Sequence, residues 1–163
     1  MRSLRVLTLN IWNDGGSWEE RKEVIRAGLV ELSPDVVGLQ EVLRPTGGEA
    51  LDQARQLALD LGYHVAYGAA SEKEGVEFGN AVLSRFPIAR SEVLALPQLD
   101  SDQARCLLFA ALEAPFGTVP FFVTHLSWRL HEGYIREAQV KSIAKDVGNV
   151  APSPSFPKRS PSR

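Results

Sequence analysis

The sequence predicts a layered α/β domain, and two observations support this prediction. Residues 4–42 read as a strand, a helix and a second strand in succession, which is the building unit of an α/β sheet. Val36, Val37 and Leu39 are not separated by regularly alternating polar residues, as expected for a strand covered on both faces. With 163 residues and 44% hydrophobic content, the chain is long enough to form one hydrophobic core.

The first strand-helix-strand unit is expected to bring two polar strand ends together. Residues 4–11 alternate as a strand, and Asn10 lies near its end. Residues 17–20 form a capping-box pattern, after which apolar positions recur at helical spacing as far as Leu32. Because such units are right-handed and their strands are parallel, we expect Asn10 and Glu41 to leave the sheet at the same edge.

The remaining elements are predicted from apolar periodicity and from Gly and Pro at the breaks. The sequence predicts helices at 49–61 and 132–147, a strand at 63–67, a mobile polar loop at 68–78, and hairpins at 79–88 and 105–126. Eight of the last thirteen residues are Pro or Ser. We therefore expect one domain over residues 1–150 and a disordered tail over 151–163.

Charge and cysteine content make several classes of protein unlikely. Residues 1–150 carry 15 Lys and Arg against 20 Asp and Glu, which is not the usual basic nucleic-acid-binding surface. Cys106 is the single cysteine, so an internal disulfide and a thiolate metal site are excluded, and a buried strand position is expected. No signal peptide or membrane-spanning stretch is recognisable, and we expect a soluble cytoplasmic protein.

Polar side chains follow three of the predicted apolar strands. Asn10 ends the first, Glu41 follows residues 36–39, and His125 follows residues 121–123. Ligands of open α/β sheets bind beyond the carboxyl ends of the strands, so Glu41 is a candidate cation ligand. The alternatives are a carboxylate that is solvated or caps a neighbouring helix for Glu41, and a hydrogen-bonded core histidine for His125. Trp128 either contacts substrate or packs on the following helix.

Four segments carry a family resemblance when they are taken in order. They are Thr8-Leu9-Asn10-Ile11-Trp12, Leu39-Gln40-Glu41-Val42, Gly79-Asn80-Ala81-Val82-Leu83-Ser84-Arg85 and Thr124-His125-Leu126, and Arg136-Glu137-Ala138-Gln139 follows them. Together they resemble the endonuclease/exonuclease/phosphatase superfamily of divalent-metal phosphoesterases. The last two segments are most similar to its sphingomyelinase-like and phosphodiesterase branches.

The resemblance implies a DNase I-like four-layer α/β sandwich and hydrolysis of a phosphoester. It implies that Glu41 binds Mg²⁺ or Mn²⁺, that Asn10 binds the metal's water shell, the phosphate or a catalytic aspartate, and that His125 donates to a phosphoryl oxygen. A cation and fixed donors at these positions would stabilise the charge that develops during attack by water. The substrate could be a small molecule, a lipid headgroup or a nucleic acid.

Three further residues are expected near the substrate or around the metal. They are Gln40, Asn80 and Arg105.

Two motifs of the superfamily are absent from the sequence. One is Gly-Asp-Phe-Asn, whose aspartate orients the attacking water, and the other is Ser-Asp-His near the carboxyl end. No Asp or Glu follows residue 147. We therefore expect a truncated member that lacks much of the second half of the fold, with uncovered apolar surface and possible self-association. It is either an enzyme that needs groups from another chain, or a non-catalytic fragment or interaction module.

Overall fold

The computed structural model describes residues 3–98 and 104–150, and it consists of two packed β-sheets with helices. The strands are β1 (Val6–Asn10), β2 (Val36–Pro45), β3 (His64–Lys73), β4 (Val76–Ser84), β5 (Ile88–Ala95), β6 (Cys106–Ala114) and β7 (Gly117–Thr124), and the helices are α1 (Trp18–Leu32), α2 (Gln53–Ala58) and α3 (Gly133–Val150). One sheet has the strand order β1-β2-β4-β3 and the other β5-β6-β7. The predicted α/β class is confirmed. The predicted tail, 151–163, lies outside the described residues.

The β1-α1-β2 unit forms as predicted, with β1 and β2 parallel. Asn10 is paired in register with Gln40, so the ends of both strands meet at one edge of the sheet. The helix differs from the prediction in two details. Ser17 precedes it without a capping side-chain hydrogen bond. Val24, one of the apolar positions that recur at helical spacing, is 73% exposed.

Two hydrophobic clusters lie on opposite faces of the larger sheet. The first joins α1 and α2 to that sheet through Leu29, Leu57 and Leu39. The second fills the space between the sheets and includes Val82, Leu108 and Val123. Gly38 allows the sheets to approach closely, because a Cβ there would lie 2.9 Å from Cγ2 of Val123. The sheets therefore pack directly against each other.

The prediction of a mobile loop at 68–78 is wrong. β3 and β4 are an antiparallel pair that extends through this segment, with Lys73 opposite Val76. The turn consists of Glu74 and Gly75, whose φ angles of 53° and 79° suit the left-handed turn of a two-residue hairpin. The segment was predicted as a loop because many of its residues are polar. Polar residues suit this end of the hairpin, since residues 72–76 are exposed to solvent.

The prediction of a hairpin at 79–88 is also wrong. β4 belongs to the four-stranded sheet and β5 to the three-stranded sheet, so Phe86 and Pro87 connect the two layers. The second hairpin, predicted at 105–126, is confirmed as the antiparallel pair β6 and β7. A local turn signal cannot distinguish a hairpin from a passage between sheets, because the difference depends on distant strands.

The helix predicted at 49–61 is shorter, since α2 covers residues 53–58 only. Its start is set by Asp52, whose carboxylate accepts a 2.7 Å hydrogen bond from the amide of Arg55. Near its end, Arg26 of α1 donates to the carbonyls of Gln56, Leu57 and Leu59. The predicted helix at 132–147 is confirmed as α3.

The face of β1 that points away from the helices is open. Val6, Thr8 and Asn10 are exposed, and Val6 retains 54% of its accessible surface. β7 contacts β2 and β4, whereas contacts between β1 and the three-stranded sheet are few or absent in the described part of the chain. No helix among the described residues is long and apolar enough to cross a bilayer.

Candidate active site

Glu41 lies at a bulge within β2, not at the end of the strand. The pairing of β2 with β4 shifts register between Gln40 and Val42, and Glu41 has a φ of 58°. A left-handed conformation is costly for a residue with a Cβ, and such strain is concentrated at functional positions. β-Bulges also redirect side chains near active sites. Because of this geometry, the direction of the Glu41 side chain does not follow the regular alternation of side chains along β2.

Two asparagine amides hold the Glu41 carboxylate. Nδ2 of Asn10 donates to Oε1 at 2.9 Å, and Nδ2 of Asn13 donates to Oε2 at 2.9 Å. Each asparagine is oriented by its own side-chain oxygen, because Oδ1 of Asn10 accepts from the amide of Trp12 and Oδ1 of Asn13 accepts from that of Gly15. The amide protons therefore point at the carboxylate, which keeps further lone pairs for a cation.

The turn that carries Asn13 is tied to two helices. Trp12 and Asn13 both have positive φ angles, so the chain reverses immediately after β1. Arg21 of α1 donates to the carbonyls of Ile11 and Asn13 at 3.0 and 2.8 Å, and also to that of Gly15. Gln53 of α2 donates to the carbonyl of Asn13 at 2.8 Å. The turn is thus positioned by side chains whose own backbone is helical.

His125 and Arg105 approach Glu41 from the three-stranded sheet. Nδ1 of His125 lies 3.9 Å from Oε1 of Glu41 and 3.4 Å from a terminal nitrogen of Arg105. Because a guanidinium can only donate, Nδ1 is the acceptor and the neutral ring carries its proton on Nε2. Burial and the charge of Arg105 lower the pKa of His125, against the opposing effect of Glu41. The net effect favours the neutral form of the ring.

Four of the six sequence-predicted site residues line one pocket of about 480 Å³. They are Asn10, Glu41, Arg105 and His125, together with Asn13, Phe78 and Trp128. The two others lie elsewhere. Gln40 donates to Oγ1 of Thr8 at 3.1 Å, on the open face of the sheet. Asn80 is buried between the sheets, where it donates to the carbonyl of Cys106 at 3.1 Å.

Asn80 has a position that suits a structural role. The carbonyl of Cys106 also accepts from Oγ1 of Thr124 at 3.0 Å, so Asn80 connects β4 to the neighbourhood of β6 and β7. Cys106 is buried as predicted, and burial raises the pKa of its thiol to about 11. Asn80 therefore connects β4 to the start of β6 and does not line the pocket.

The sequence did not single out Asn13 or Phe78 as site residues. For Asn13, the available signal was a second amide side chain three residues after Asn10. Phe78 was placed in the predicted loop, and it reaches the pocket because that segment is a strand. Trp128 lies at the pocket, which favours the first of its two sequence-based interpretations.

The donor set suits a hard divalent cation. Glu41 supplies a carboxylate at a pocket whose other polar groups are amides, an imidazole and a guanidinium. Mg²⁺ commonly binds one or two carboxylates, retains several waters and takes further oxygens from substrate phosphate. Within residues 3–98 and 104–150, no group of three or more His, Cys, Asp or Glu side chains could enclose a metal. The residues thus fit an open site more closely than a closed structural one.

Comparison with known proteins decides the family. Residues 7–159 match the model of the endonuclease/exonuclease/phosphatase family. The chain belongs to this family. A comparison with curated proteins gives no significant match.

Several solved structures share this fold. A family protein from Beutenbergia cavernae DSM 12333 is 30% identical with a TM-score of 0.70, and the match covers 89% of this chain and 44% of that protein. The human Nocturnin catalytic domain with bound sulfate gives 23% identity and a TM-score of 0.72, covering 90% of this chain and 58% of that one. A mannosyl-6-phosphatase of Bacteroides thetaiotaomicron gives 18% identity and a TM-score of 0.73, covering 94% and 62%.

These structures confirm the DNase I-like fold class predicted from the sequence. The chain spans about half of the length of these relatives, and 44% of the one from Beutenbergia cavernae.

Proposed function

We propose that this chain carries the metal-binding and phosphate-binding part of a divalent-metal-dependent phosphoester hydrolase. The observation that supports the proposal best is the convergence of Glu41, His125 and Arg105 on one pocket. These groups come from two different sheets and are distant in sequence. A carboxylate that can hold a cation, a neutral imidazole and a guanidinium are suited to stabilising the charge that develops during phosphoryl transfer.

Each polar residue of the pocket has a definite role in this proposal. Glu41 would hold Mg²⁺ or Mn²⁺, and Asn10 and Asn13 keep its carboxylate in one orientation. The cation, when bound, would neutralise charge on the phosphate. Arg105 is 5% exposed, so its guanidinium would bind a phosphoryl oxygen with little competition from water.

His125 would donate a hydrogen bond to the phosphate from Nε2. Arg105 supports this role because its donor occupies Nδ1, which keeps the ring proton on the opposite nitrogen. Such a preorganised donor strengthens its interaction as charge builds on the phosphoryl oxygen. Loss of one donor of this kind costs on the order of 10²-fold in rate.

A non-catalytic phosphate-binding module is the second candidate. The observation that favours it is the composition of the pocket, which contains one carboxylate and one histidine among the described residues. Activation of water requires a base besides the group that holds the cation. In this case the chain would bind metal and phosphate without turnover.

Hydrolysis of bis-p-nitrophenyl phosphate distinguishes the two candidates. The purified chain is assayed with Mg²⁺ or Mn²⁺, with EDTA, and as the Glu41→Gln variant, beside Glu23→Gln as a matched control on the exposed face of α1. Turnover that is lost with EDTA and in Glu41→Gln, but retained in Glu23→Gln, supports the hydrolase. A folded but inert wild-type chain supports the binding module, and turnover unaffected by Glu41→Gln contradicts the role of Glu41.

A further inference from the structure

Among the described residues, Trp128 differs from the other two tryptophans because its indole has no hydrogen-bond or cation-π partner. The ring of Trp12 lies beneath the guanidinium of Arg21 at 5.5 Å, and Nε1 of Trp18 donates to Gln56 at 2.9 Å. Within the described residues, the indole of Trp128 has neither a hydrogen bond nor a ring contact. Its side chain is 69% exposed at the rim of the pocket. The largest aromatic surface of the site is therefore free.

The backbone on both sides of Trp128 is nevertheless held firmly. Glu132 is 2% exposed, and its carboxylate accepts from Oγ of Ser127 at 2.7 Å and from Arg129 at 3.1 Å. Gln139 of α3 accepts from the amide of Ser127 at 3.0 Å. Arg136 donates to the carbonyls of Ser127 and Arg129. Buried polar groups of this kind are costly unless they are satisfied, so the network fixes the loop.

A large exposed aromatic side chain on a fixed loop is suited to binding. Its surface is available for contact, and it loses little conformational entropy when a ligand binds, because the backbone is already ordered. Phe78 lies in the same pocket and adds a second aromatic side chain. One part of the pocket is thus aromatic, while Glu41, Arg105 and His125 make another part suited to phosphate.

This division matches a ligand with a planar ring and a phosphate. The acidic balance of residues 1–150 gives no support to a long polyanion, so a small molecule is favoured over a nucleic acid strand. Aromatic side chains bind planar rings by stacking, and this contact tolerates different ring types. A nucleotide-like phosphoester combines both features.

We propose that Trp128 is a stacking platform that selects small phosphoesters carrying a planar aromatic group. The proposal rests on the proposed function, because the phosphate is assigned to the site formed by Glu41, Arg105 and His125. It names Trp128 as a substrate-contacting residue and assigns its fixed position to Glu132, Arg136 and Gln139.

Affinities for two phosphates that differ only by a planar ring test the proposal. Adenosine 5′-monophosphate and ribose 5-phosphate are titrated calorimetrically into the protein with Mg²⁺. We expect the nucleotide to bind about tenfold more tightly, as stacking of one base on an aromatic side chain would give. Trp128→Leu is expected to abolish this preference, and Trp128→Tyr to retain part of it.

Phe116→Leu is the matched control, because Phe116 is 56% exposed in the β6–β7 turn and does not line the pocket. It is expected to keep the full preference. Equal affinities for the two phosphates, a preference that survives in Trp128→Leu, or no binding of either phosphate would each overturn the stacking proposal. Glu41-dependent hydrolysis of bis-p-nitrophenyl phosphate with equal affinities would overturn it and leave the proposed function intact. A Trp128-dependent preference without any turnover would support the stacking proposal and overturn the proposed hydrolase.

Discussion

Asn13 donates a 2.9 Å hydrogen bond to Oε2 of Glu41, across 28 residues of sequence. Asn10 makes the equivalent bond to Oε1, so both oxygens of one carboxylate are oriented by amides from the turn after β1. Arg21 and Gln53 hold this turn in place by donating hydrogen bonds to its carbonyls. Two helices and two strands thus determine the direction of a single side chain.

Asn13→Ala is expected to weaken binding of Mn²⁺ by about 10- to 100-fold, because loss of a hydrogen bond that orients a ligand has that effect in metal sites. The measurement is calorimetric titration of the metal, with circular dichroism to confirm folding. Asn149→Ala, at an exposed position on α3, is the matched control. Equal affinities in the two variants would show that Asn13 does not orient a metal ligand.

Glu41→Gly is expected to be more stable than Glu41→Ala by about 1 kcal/mol, because glycine adopts the positive φ of 58° without steric cost. Both variants lose the carboxylate, so the comparison isolates the backbone. At Glu92, in the interior of β5, the order should reverse, since glycine weakens an extended strand. Urea denaturation measures both pairs, and the same order at the two positions would refute strain at Glu41.

Gly79→Ala is expected to destabilise the protein by about 3 kcal/mol, at the upper end of the usual cost of overpacking. A Cβ at Gly79 would lie 2.0 Å from the carbonyl oxygen of Gly68, where backbone cannot move aside. Gly28→Ala in α1 meets nothing within 4 Å and should stabilise by up to about 1 kcal/mol. A change in the midpoint of urea unfolding reports both effects. A neutral Gly79→Ala would mean that β3 and β4 are not paired as closely there.

Acid is expected to destabilise the loop that carries Trp128 through Glu132. The hydrogen bond from Ser127 lowers the pKa of the Glu132 carboxyl from its ordinary 4.5, against the effect of burial and with help from Arg129. A lowered pKa in the folded state gives stability that is complete above pH 4.5 and is lost as the pH falls through the folded-state value. Glu132→Gln, and to a lesser extent Ser127→Ala, should flatten the stability profile below pH 4.5. Thermal unfolding measured from pH 6 to about 3 checks this, and parallel profiles for wild type and Glu132→Gln would contradict it.

Local patterns were sufficient for much of the fold. The β1-α1-β2 unit, the β6–β7 hairpin and α3 follow from apolar periodicity, because each element is stabilised by contacts within itself or with its neighbour in sequence. The predictions failed where the decisive contacts are distant. The polar segment 68–78 becomes strand because β2 and β3 flank β4, and residues 79–88 connect two sheets instead of forming one hairpin.

By itself, the sequence determined the family, the α/β class and the approximate location of Asn10, Glu41 and His125. These features could be recognised because each depends on a short motif of neighbouring residues and on the order of the motifs along the chain. Only the tertiary structure decided which polar residues share a pocket. It added Asn13 and Phe78, placed Trp128 at the rim, and assigned Gln40 and Asn80 to other positions. The physical reason is that side-chain direction depends on strand register, and a bulge such as that at Glu41 changes register without leaving a distinct local sequence signal.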